Sequence, residues 1–185
     1  MQTWLGLAPV GRRVQDSAVA DRASEDTVDF DAVFRRYAPY VGAIVARLVG
    51  RADDVDDIVQ DVFFQAHRGL HTLRDPEAVR PWLTRIAVRR SRRWLRRHWH
   101  VRFFASDTAD DFDNLADPSA SPEQRAEISR IYRELRKMPA DQRVVWVLRT
   151  VEGETLESIA TLVGCSLSTV QRRLRAAQAM MERLR

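Results

Sequence analysis

The stretch TLESIATLVGCSLSTVQRRLRAAQ, residues 155–178, decides the fold of the C-terminal part of the chain. Apolar residues recur in it at intervals of three and four, which predicts two short amphipathic helices. Gly164 permits a tight turn between them, and Ala160 leaves room for the second helix to cross closely. Ser166 or Ser168 is placed to cap the second helix. The predicted inward stripe of that helix consists of Leu167, Val170, Leu174, Ala177 and Met181. This is the pattern of a helix-turn-helix.

The opposite face of the second helix is polar and basic. With the stripe buried, a rotation of about 100° per residue turns these side chains outward. Arginine can donate paired hydrogen bonds to guanine and glutamine can pair with adenine in the major groove, while hydroxyl groups can hold phosphate. A basic helix end in any bundle would carry similar charge, so the assignment depends on Ala160, Gly164 and Val170 at their spacing. The predicted contacts to duplex DNA are Ser168, Thr169, Gln171, Arg172, Arg173 and Arg175.

Three longer amphipathic helices are predicted upstream. The first runs from about Asp29 and is closed by Gly50. The second lies in ADDVDDIVQDVFFQAHRGL, residues 52–70, where an apolar stripe is surrounded by aspartates. The third begins near Glu77, after an Asp-Pro break, and reaches about Trp99. Since no clear strand pattern occurs, the predicted fold class is all-α.

An acidic stretch separates these helices from the C-terminal ones. Residues 105–122, ASDTADDFDNLADPSASP, are rich in acidic, small and proline residues and lack an apolar period, which is typical of a flexible linker. The chain is therefore predicted to form two small helical domains joined by this linker. The predicted units are a mobile arm at 1–28, a helical domain at 29–104, the linker at 105–122 and a helical domain at 123–185.

The third helix has an unusual excess of arginine. Nine arginines occur between Arg80 and Arg102, and no acidic residue occurs from Ala78 to Ser106. Solvated surfaces usually mix both signs of charge. Guanidinium groups interleaved with aromatic rings can hold phosphates while the rings stack on unpaired bases, which suits melted DNA. The predicted contacts to melted DNA are Arg85, Arg89, Arg90, Arg92, Arg93, Arg96, Arg97 and Trp99.

Composition and spacing exclude several classes of protein. With 45% hydrophobic and 30% charged residues, the chain has the balance of a water-soluble globular protein. We expect no membrane insertion and a cytoplasmic location, because no apolar run is long enough to span a membrane and the N-terminus is unlike a signal peptide. Cys165 is the only cysteine, which excludes an internal disulfide.

The sequence also gives no indication of catalysis. His67 and His71, or His98 and His100, have a spacing that could suggest a metal pair, but no further ligand completes either site. A phosphate-binding glycine loop and a nucleophile paired with a base are both missing from the sequence. We therefore predict no enzymatic activity, no metal and no cofactor.

Together these elements resemble the extracytoplasmic-function (ECF) sigma factors, promoter-specificity subunits of bacterial RNA polymerase that keep only the second and fourth sigma domains. The resemblance runs from about Phe30 to Arg185. It is most specific in DVDDIVQDVF, residues 54–63, which is similar to the acidic and hydrophobic polymerase-binding motif of the family. Trp82-Leu83 followed by Ile86-Ala87 matches the start of the promoter-melting helix, and residues 164–174 match the duplex-reading module.

The resemblance implies three interfaces. The second helix would dock on the clamp helices of the polymerase's largest subunit. The polymerase flap would be a further partner of the chain. The arginine helix and the preceding loop would hold the minus-ten element as an unpaired strand, and the helix from Leu167 would read the minus-thirty-five element. The acidic linker would thread toward the RNA channel, and an anti-sigma factor would be a regulatory partner. The implied polymerase-binding residues are Asp53, Asp54, Asp57, Gln60, Asp61 and Phe64.

Two departures from the family pattern and two alternative functions remain. Arg89 and Arg93 stand where the family usually has asparagine and aspartate, and Ala176 and Gln178 where arginines are common. The promoter sequence therefore cannot be transferred from relatives. A stand-alone helix-turn-helix regulator would use the same DNA-reading module, but leaves DVDDIVQDVF unexplained. A metal-dependent nucleic-acid enzyme that uses the histidines is the second alternative.

Overall fold

Every element that the structure describes is helical. The structure is a computed structural model that describes residues 29–50, 54–103 and 120–182. Two 3-10 turns, Leu70–Thr72 and Pro76–Ala78, lead into the third helix. The helices are α1 (Phe30–Val49), α2 (Val55–Gly69), α3 (Val79–Phe103), α4 (Pro122–Lys137), α5 (Ala140–Thr150), α6 (Leu156–Val163) and α7 (Leu167–Glu182). The predicted all-α fold is confirmed.

Local chemistry sets the ends of these helices. The Asp29 carboxylate accepts hydrogen bonds from two backbone amides in the first turn of α1, and Gly50 ends α1 in the left-handed conformation at φ 64°. At α4, the Ser121 hydroxyl accepts from the Gln124 amide at 3.3 Å, and the Gln124 side chain accepts from the Ser121 amide at 2.8 Å. This capping box starts α4 at Pro122, the last residue of the predicted linker.

The first helical domain is a bundle of α1, α2 and α3, each of which contacts the other two. The apolar stripe of α2 turns inward as the periodicity predicts, since Ile58, Val62, Phe63 and Ala66 are all buried. Burial of this stripe leaves the aspartates of α2 on its outer face. The bundle therefore holds the acidic face of α2 and the arginine-rich α3 side by side.

The second helical domain contains the helix-turn-helix. Helices α5, α6 and α7 contact one another, and Gly164 makes the turn before α7 in the left-handed conformation at φ 66°. Four residues of the predicted α7 stripe, Val170, Leu174, Ala177 and Met181, are buried. The prediction for Leu167 is wrong: its side chain is 38% exposed, because it is the first residue of α7 and precedes the turn that meets the core.

The two domains pack against each other. Helix α3 contacts α4, α5 and α6, and α1 contacts α5. The buried apolar residues of both domains belong to one continuous cluster. Sequence reasoning gave two domains with a linker between them and no indication of this packing. The predicted arm at 1–28, residues 105–119 of the predicted linker, the predicted domain end at Phe104 and Asp53 lie outside the described residues. Among the helices described, none has the length and apolarity needed to cross a membrane.

Candidate polymerase and DNA interfaces

The outer face of α2 combines carboxylates with an exposed aromatic ring. Asp57, Gln60, Asp61 and Phe64 follow one another at intervals of three, one and three, so they share one side of the helix. Asp57 and Gln60 are exposed, and Phe64 is 61% exposed. Phe64 is therefore an apolar side chain set among carboxylates on an exposed face of α2. Of the sequence-predicted set, Asp54 is the residue that immediately precedes α2.

Asp61 also joins α2 to α3. Its carboxylate lies 2.8 Å from the Arg90 guanidinium, and its side chain is 46% exposed. The Arg68 guanidinium lies over the Phe64 ring at 5.9 Å from the centroid. Asp61 therefore presents only part of its carboxylate to a partner, while Asp57 presents a freely accessible surface.

The predicted minus-ten arginines divide into two groups. Arg85, Arg89, Arg93 and Arg97 are exposed along the outer side of α3. Arg90 is half-buried on Asp61, and Arg92 and Arg96 point toward the second domain. Trp99 lies within α3, but its side chain is outside the described residues. One open cleft on α3 is lined by Arg89, Arg92, Arg93, Arg96 and Arg97.

A single carboxylate collects three of the predicted DNA-binding arginines. Arg92 donates to Asp141 from Nε at 2.6 Å and from Nη2 at 3.2 Å. Arg96 donates to it from Nε at 3.1 Å and from Nη2 at 2.9 Å, and Arg173 from Nη2 at 2.5 Å. Arg92 also donates to the Val163 carbonyl at 2.8 Å. We call Asp141, Arg92, Arg96 and Arg173 the Asp141 cluster.

The electrostatics of this cluster strongly favour the ionised acid. Burial would raise the pKa of Asp141, but hydrogen bonds from Arg92 and Arg96, together with the charges of Arg92 and Arg173, outweigh it and lower the pKa to about 2. The hydrogen bond to Asp141 in turn raises the pKa of Arg92 above its ordinary value. The four groups therefore form a charged network throughout the neutral pH range.

The predicted minus-thirty-five residues lie on α7. Ser168, Arg172 and Arg175 are exposed, and Thr169 and Gln171 are half-buried. The Ser166 hydroxyl accepts from the Thr169 amide at 3.3 Å, which identifies Ser166 as the cap of α7. The list of residues available to DNA in this arrangement is therefore Ser168, Thr169, Gln171, Arg172 and Arg175, whereas Arg173 is engaged with Asp141.

A second polar contact covers the C-terminal end of α1. The Arg143 Nη2 donates to the Val49 carbonyl at 2.7 Å, and the Tyr132 hydroxyl donates to the Arg47 carbonyl at 3.1 Å. Arg47 forms an ion pair with Glu152. Burial raises the pKa of Tyr132, so its phenol stays a neutral donor. We call Arg47, Tyr132, Arg143 and Glu152 the α1 cap.

Sequence reasoning missed both contacts between the domains. Asp141, Arg143 and Glu152 look like ordinary solvated residues in the sequence, and only the folded chain brings them to α1 and α3. As for metals, the described residues contain no group of three or more histidine, cysteine, aspartate or glutamate side chains that could hold an ion. His67 instead packs edge-on to Phe30 at 4.9 Å between ring centroids.

Two family models match the chain, one in each helical domain. Residues 33–101 match the family model for Sigma-70 region 2, and residues 128–181 match Sigma-70, region 4. The first match contains the acidic face of α2 and most of α3, and the second contains the helix-turn-helix. Together they cover more than half of the chain.

Several relatives and solved structures that are similar to this chain are sigma factors. The ECF RNA polymerase sigma-E factor of Haemophilus influenzae is 30% identical, over 94% of this chain and 96% of that protein. The ECF RNA polymerase sigma factor SigM of Mycobacterium tuberculosis is 31% identical, over 94% and 87%. The sigma factor RpoE of Bartonella quintana, solved with the anti-sigma factor NepR, has a TM-score of 0.63 at 20% identity, over 84% of this chain and 96% of that one. CnrH, solved with the cytosolic domain of CnrY, has a TM-score of 0.54 at 27% identity, over 84% and 86%.

The two domains define a sigma-70 type of transcription initiation factor, and the chain belongs to that family. Within the family it is an ECF sigma factor, which binds core RNA polymerase and directs promoter-specific initiation. Sigma factors are initiation factors rather than enzymes. The stand-alone regulator is not favoured, because it accounts for the region 4 match and leaves the region 2 match without a role.

Proposed function

We propose that the outer face of α2 is the surface that docks on core polymerase, against the clamp helices of its largest subunit. The observation that carries this proposal is the exposed Phe64 ring beside Asp57, Gln60 and Asp61. An aromatic side chain can supply a hot spot at the centre of an interface, and carboxylates around it give orientation and a fast encounter with a basic partner. Asp53 and Asp54 extend this face toward the start of α2.

The DNA contacts of the proposed function are divided between two helices. The exposed arginines of α3 are proposed to bind the melted minus-ten strand, with Arg90, Arg92, Arg96 and Trp99 completing the set. The outer face of α7 is proposed to read the minus-thirty-five element as duplex, with the polymerase flap as the partner of this domain. In support, Arg172 and Arg175 are exposed on the side of α7 opposite its buried stripe. Both assignments follow the order in which the family uses its two domains.

A cytoplasmic location and an anti-sigma partner complete the proposal. Core polymerase and promoter DNA are both cytoplasmic in bacteria, so a subunit that joins them works there. The structurally similar RpoE of Bartonella quintana was solved with an anti-sigma factor, which supports a partner of the same kind for this chain.

The docking surface is tested by a pair of charge reversals within one turn of α2. Asp57→Arg places a positive charge on the proposed face, whereas Asp56→Arg makes the same change at an exposed neighbour about 100° around the helix. Both variants lose the same favourable charge from the first turn, so their effects on the helix itself are matched. We expect Asp57→Arg to weaken core polymerase binding at least about tenfold, or about 1.4 kcal/mol, in fluorescence anisotropy titrations.

The Asp56→Arg control shows whether a loss of polymerase binding is specific to Asp57. Asp56→Arg should bind core polymerase within about twofold of the parent, a difference of less than about 0.5 kcal/mol. Equal weakening by both variants would show that only the net charge of α2 matters. A loss of helix content by Asp57→Arg in circular dichroism would assign Asp57 a structural role.

A further inference from the structure

A cleft between α2 and α3 lies between the proposed polymerase and DNA surfaces, and neither surface alone accounts for its lining. Its volume is about 330 Å³, which falls within the usual range of small-molecule sites, about 300–1,000 Å³. Helix α2 lines it with the Asp57 and Asp61 carboxylates, and α3 lines it with aromatic and guanidinium groups. We call it the α2–α3 cleft. It combines planar rings, hydrogen-bond acceptors and cations within one small space.

The aromatic wall of this cleft is a stack of two rings on α3. The Trp94 and His98 rings lie 4.3 Å apart between centroids, and their planes are inclined by 22°. The His98 Nδ1 lies 2.9 Å from the Trp94 carbonyl oxygen, and it is the donor because a carbonyl only accepts. This hydrogen bond fixes the orientation of the His98 ring. Both rings are half-buried, so they offer a nucleobase a stacking surface that exists before the base arrives.

The carboxylates on the α2 side favour one kind of base. Asp61 is paired with Arg90 at 2.8 Å, whereas Asp57 is exposed, so Asp57 is the more available acceptor. An ionised carboxylate only accepts hydrogen bonds. Guanine presents two adjacent donors on its Watson–Crick edge, the ring N–H and the amino group, and the two oxygens of a carboxylate can accept both. Adenine presents only one donor there, beside an acceptor. The α2 side of the cleft therefore favours guanine.

A second cleft, the open one on α3 described above, adjoins the first. It has a volume of about 290 Å³, and all the residues that line it are arginines. Arg93 and Arg97 line both clefts, and because they are four residues apart they lie on one face of α3. Guanidinium groups bind phosphate with paired N–H donors. A ligand with its base in the α2–α3 cleft can therefore extend a phosphate chain over Arg93 and Arg97 toward the exposed Arg89.

We propose that the two clefts together bind a guanine nucleoside polyphosphate. The base stacks on the Trp94–His98 pair and presents its edge to Asp57. The phosphates lie on Arg93 and Arg97. One consequence rests on the proposed function, because Asp57 also belongs to the proposed docking face for core polymerase. A nucleotide on Asp57 covers part of that face, so the nucleotide and core polymerase should exclude each other.

The distribution of charge favours a free nucleotide over a nucleotide within a DNA strand. Carboxylates line the α2 side of the first cleft, and arginines alone line the second cleft. A base within a strand has a phosphate on each side along the backbone, so one phosphate would lie near the carboxylates and be repelled. A nucleoside polyphosphate carries all its phosphates at one end. That end can lie wholly among the arginines.

Isothermal titration calorimetry on the free full-length chain tests the site with GTP, ATP and inorganic triphosphate. We expect GTP to bind at least about tenfold more tightly than ATP, because only guanine offers two donors to Asp57. Inorganic triphosphate should also bind at least about tenfold more weakly than GTP, because it has no base to stack. Equal affinities for all three would overturn the proposal, since they would show only a general attraction of phosphate to arginine. A guanine-containing DNA trinucleotide that binds as tightly as GTP would assign the clefts to DNA instead.

A first pair of variants tests the position of the base. Asp57→Asn keeps the size of the side chain but replaces one acceptor by a donor, so it should remove the preference for GTP over ATP. The ratio of the two affinities is the readout, because loss of negative charge alone would strengthen both. Asp56→Asn makes the same change at an exposed position outside the lining of both clefts, and it should keep the preference. A preference that survives Asp57→Asn would overturn the assignment of the base.

A second pair tests the position of the phosphates. Arg97→Gln removes a cation that lines both clefts and should weaken GTP binding about tenfold. Arg85→Gln makes the same change at an exposed position of α3 outside both linings, and its affinity should stay within about twofold of the parent. Equal weakening by both variants would mean that the net charge of α3, and not the clefts, attracts the nucleotide. Circular dichroism checks that all four variants are folded.

Competition with core polymerase separates this proposal from the proposed docking surface. GTP at about ten times its Kd should weaken binding of the chain to core polymerase about tenfold in fluorescence anisotropy. ATP at the same concentration is the control for nucleotides that bind polymerase itself. GTP that binds the free chain without competing would contradict the docking surface and support the nucleotide site. GTP that fails to bind the free chain would overturn the nucleotide site and leave the docking surface untouched.

Discussion

Replacement of Gly50 by alanine adds one Cβ atom between the two domains and so tests how closely they pack. Gly50 ends α1 with φ 64°, a conformation that L-residues rarely adopt. A Cβ there would lie 2.6 Å from Arg143 Nη2 and 2.7 Å from Tyr132 Cδ1, both in the second domain. Gly164 has nearly the same φ, 66°, but a Cβ there would meet nothing within 4 Å. The two glycines thus share the backbone cost of alanine and differ only in what surrounds them.

The expected losses of stability follow from two costs, the left-handed backbone conformation and the contacts of the added methyl group. A left-handed alanine costs roughly 1–2 kcal/mol, so Gly164→Ala should lower the free energy of unfolding by that amount. At Gly50 the added methyl group must also displace Arg143 or Tyr132. Arg143 Nη2 is held on the Val49 carbonyl at 2.7 Å and the Tyr132 ring is fully buried, so neither can yield without loss of packing. Overpacking of this kind costs about 1–3 kcal/mol, which gives a total of roughly 2–5 kcal/mol for Gly50→Ala.

Urea denaturation followed by circular dichroism measures this difference on the full-length variants. We expect Gly50→Ala to be less stable than Gly164→Ala by about 1–3 kcal/mol. Equal free energies of unfolding would refute the reasoning, because they would mean that Arg143 and Tyr132 do not rest on the end of α1 in solution.

Two further predictions concern single side chains. Since Asp141 has a pKa lowered to about 2 from an ordinary 3.8, its ionisation stabilises the folded chain above about pH 4, and this contribution is lost as the pH falls through about 2. The parent should therefore exceed Asp141→Asn in free energy of unfolding by about 2 kcal/mol near pH 5, and a difference that does not shrink toward pH 2 would contradict the assignment. Arg172→Ala should relax promoter choice by about 1–3 kcal/mol at one base pair, measured by binding of holoenzyme to single-substituted promoters, whereas uniform weakening on all sequences would assign Arg172 to phosphate.

Local patterns in the sequence account for the helices and for the faces they expose. Apolar spacing predicts the buried stripe of α7 from Val170 onward, and Gly164 predicts the turn before it, because both are decided within a few residues of the chain. The same spacing wrongly predicts that Leu167 is buried. Leu167 fits the apolar period, but it is the first residue of α7 and lies before the part of the helix that packs on the core. The acidic face of α2 follows from the same periodicity, and the role that we propose for it follows from resemblance to a known motif.

Local sequence patterns cannot predict how the two domains pack against each other. Arg92 and Asp141 are 49 positions apart, and Arg143 and Val49 are 94 apart, so no window of sequence contains both partners. An arginine that contacts DNA and an arginine that contacts a distant carboxylate also look the same in sequence. The guanidinium group of Arg92 can bind any anion, and only the fold shows that its partner in the free chain is the Asp141 carboxylate.

Because nearly all basic side chains of this protein are arginines, the same side chains can bind either a carboxylate or a phosphate. Lys137 is the only lysine in the chain, so nearly all basic side chains are guanidinium groups. Arg92 uses Nε and Nη2 on Asp141 while Nη1 holds the Val163 carbonyl, a planar fork that an ammonium group cannot reproduce. A carboxylate and a phosphate offer that fork similar pairs of oxygens. Arg92 therefore meets a carboxylate of the second domain with the same planar fork that it would offer to a DNA phosphate under the proposed function.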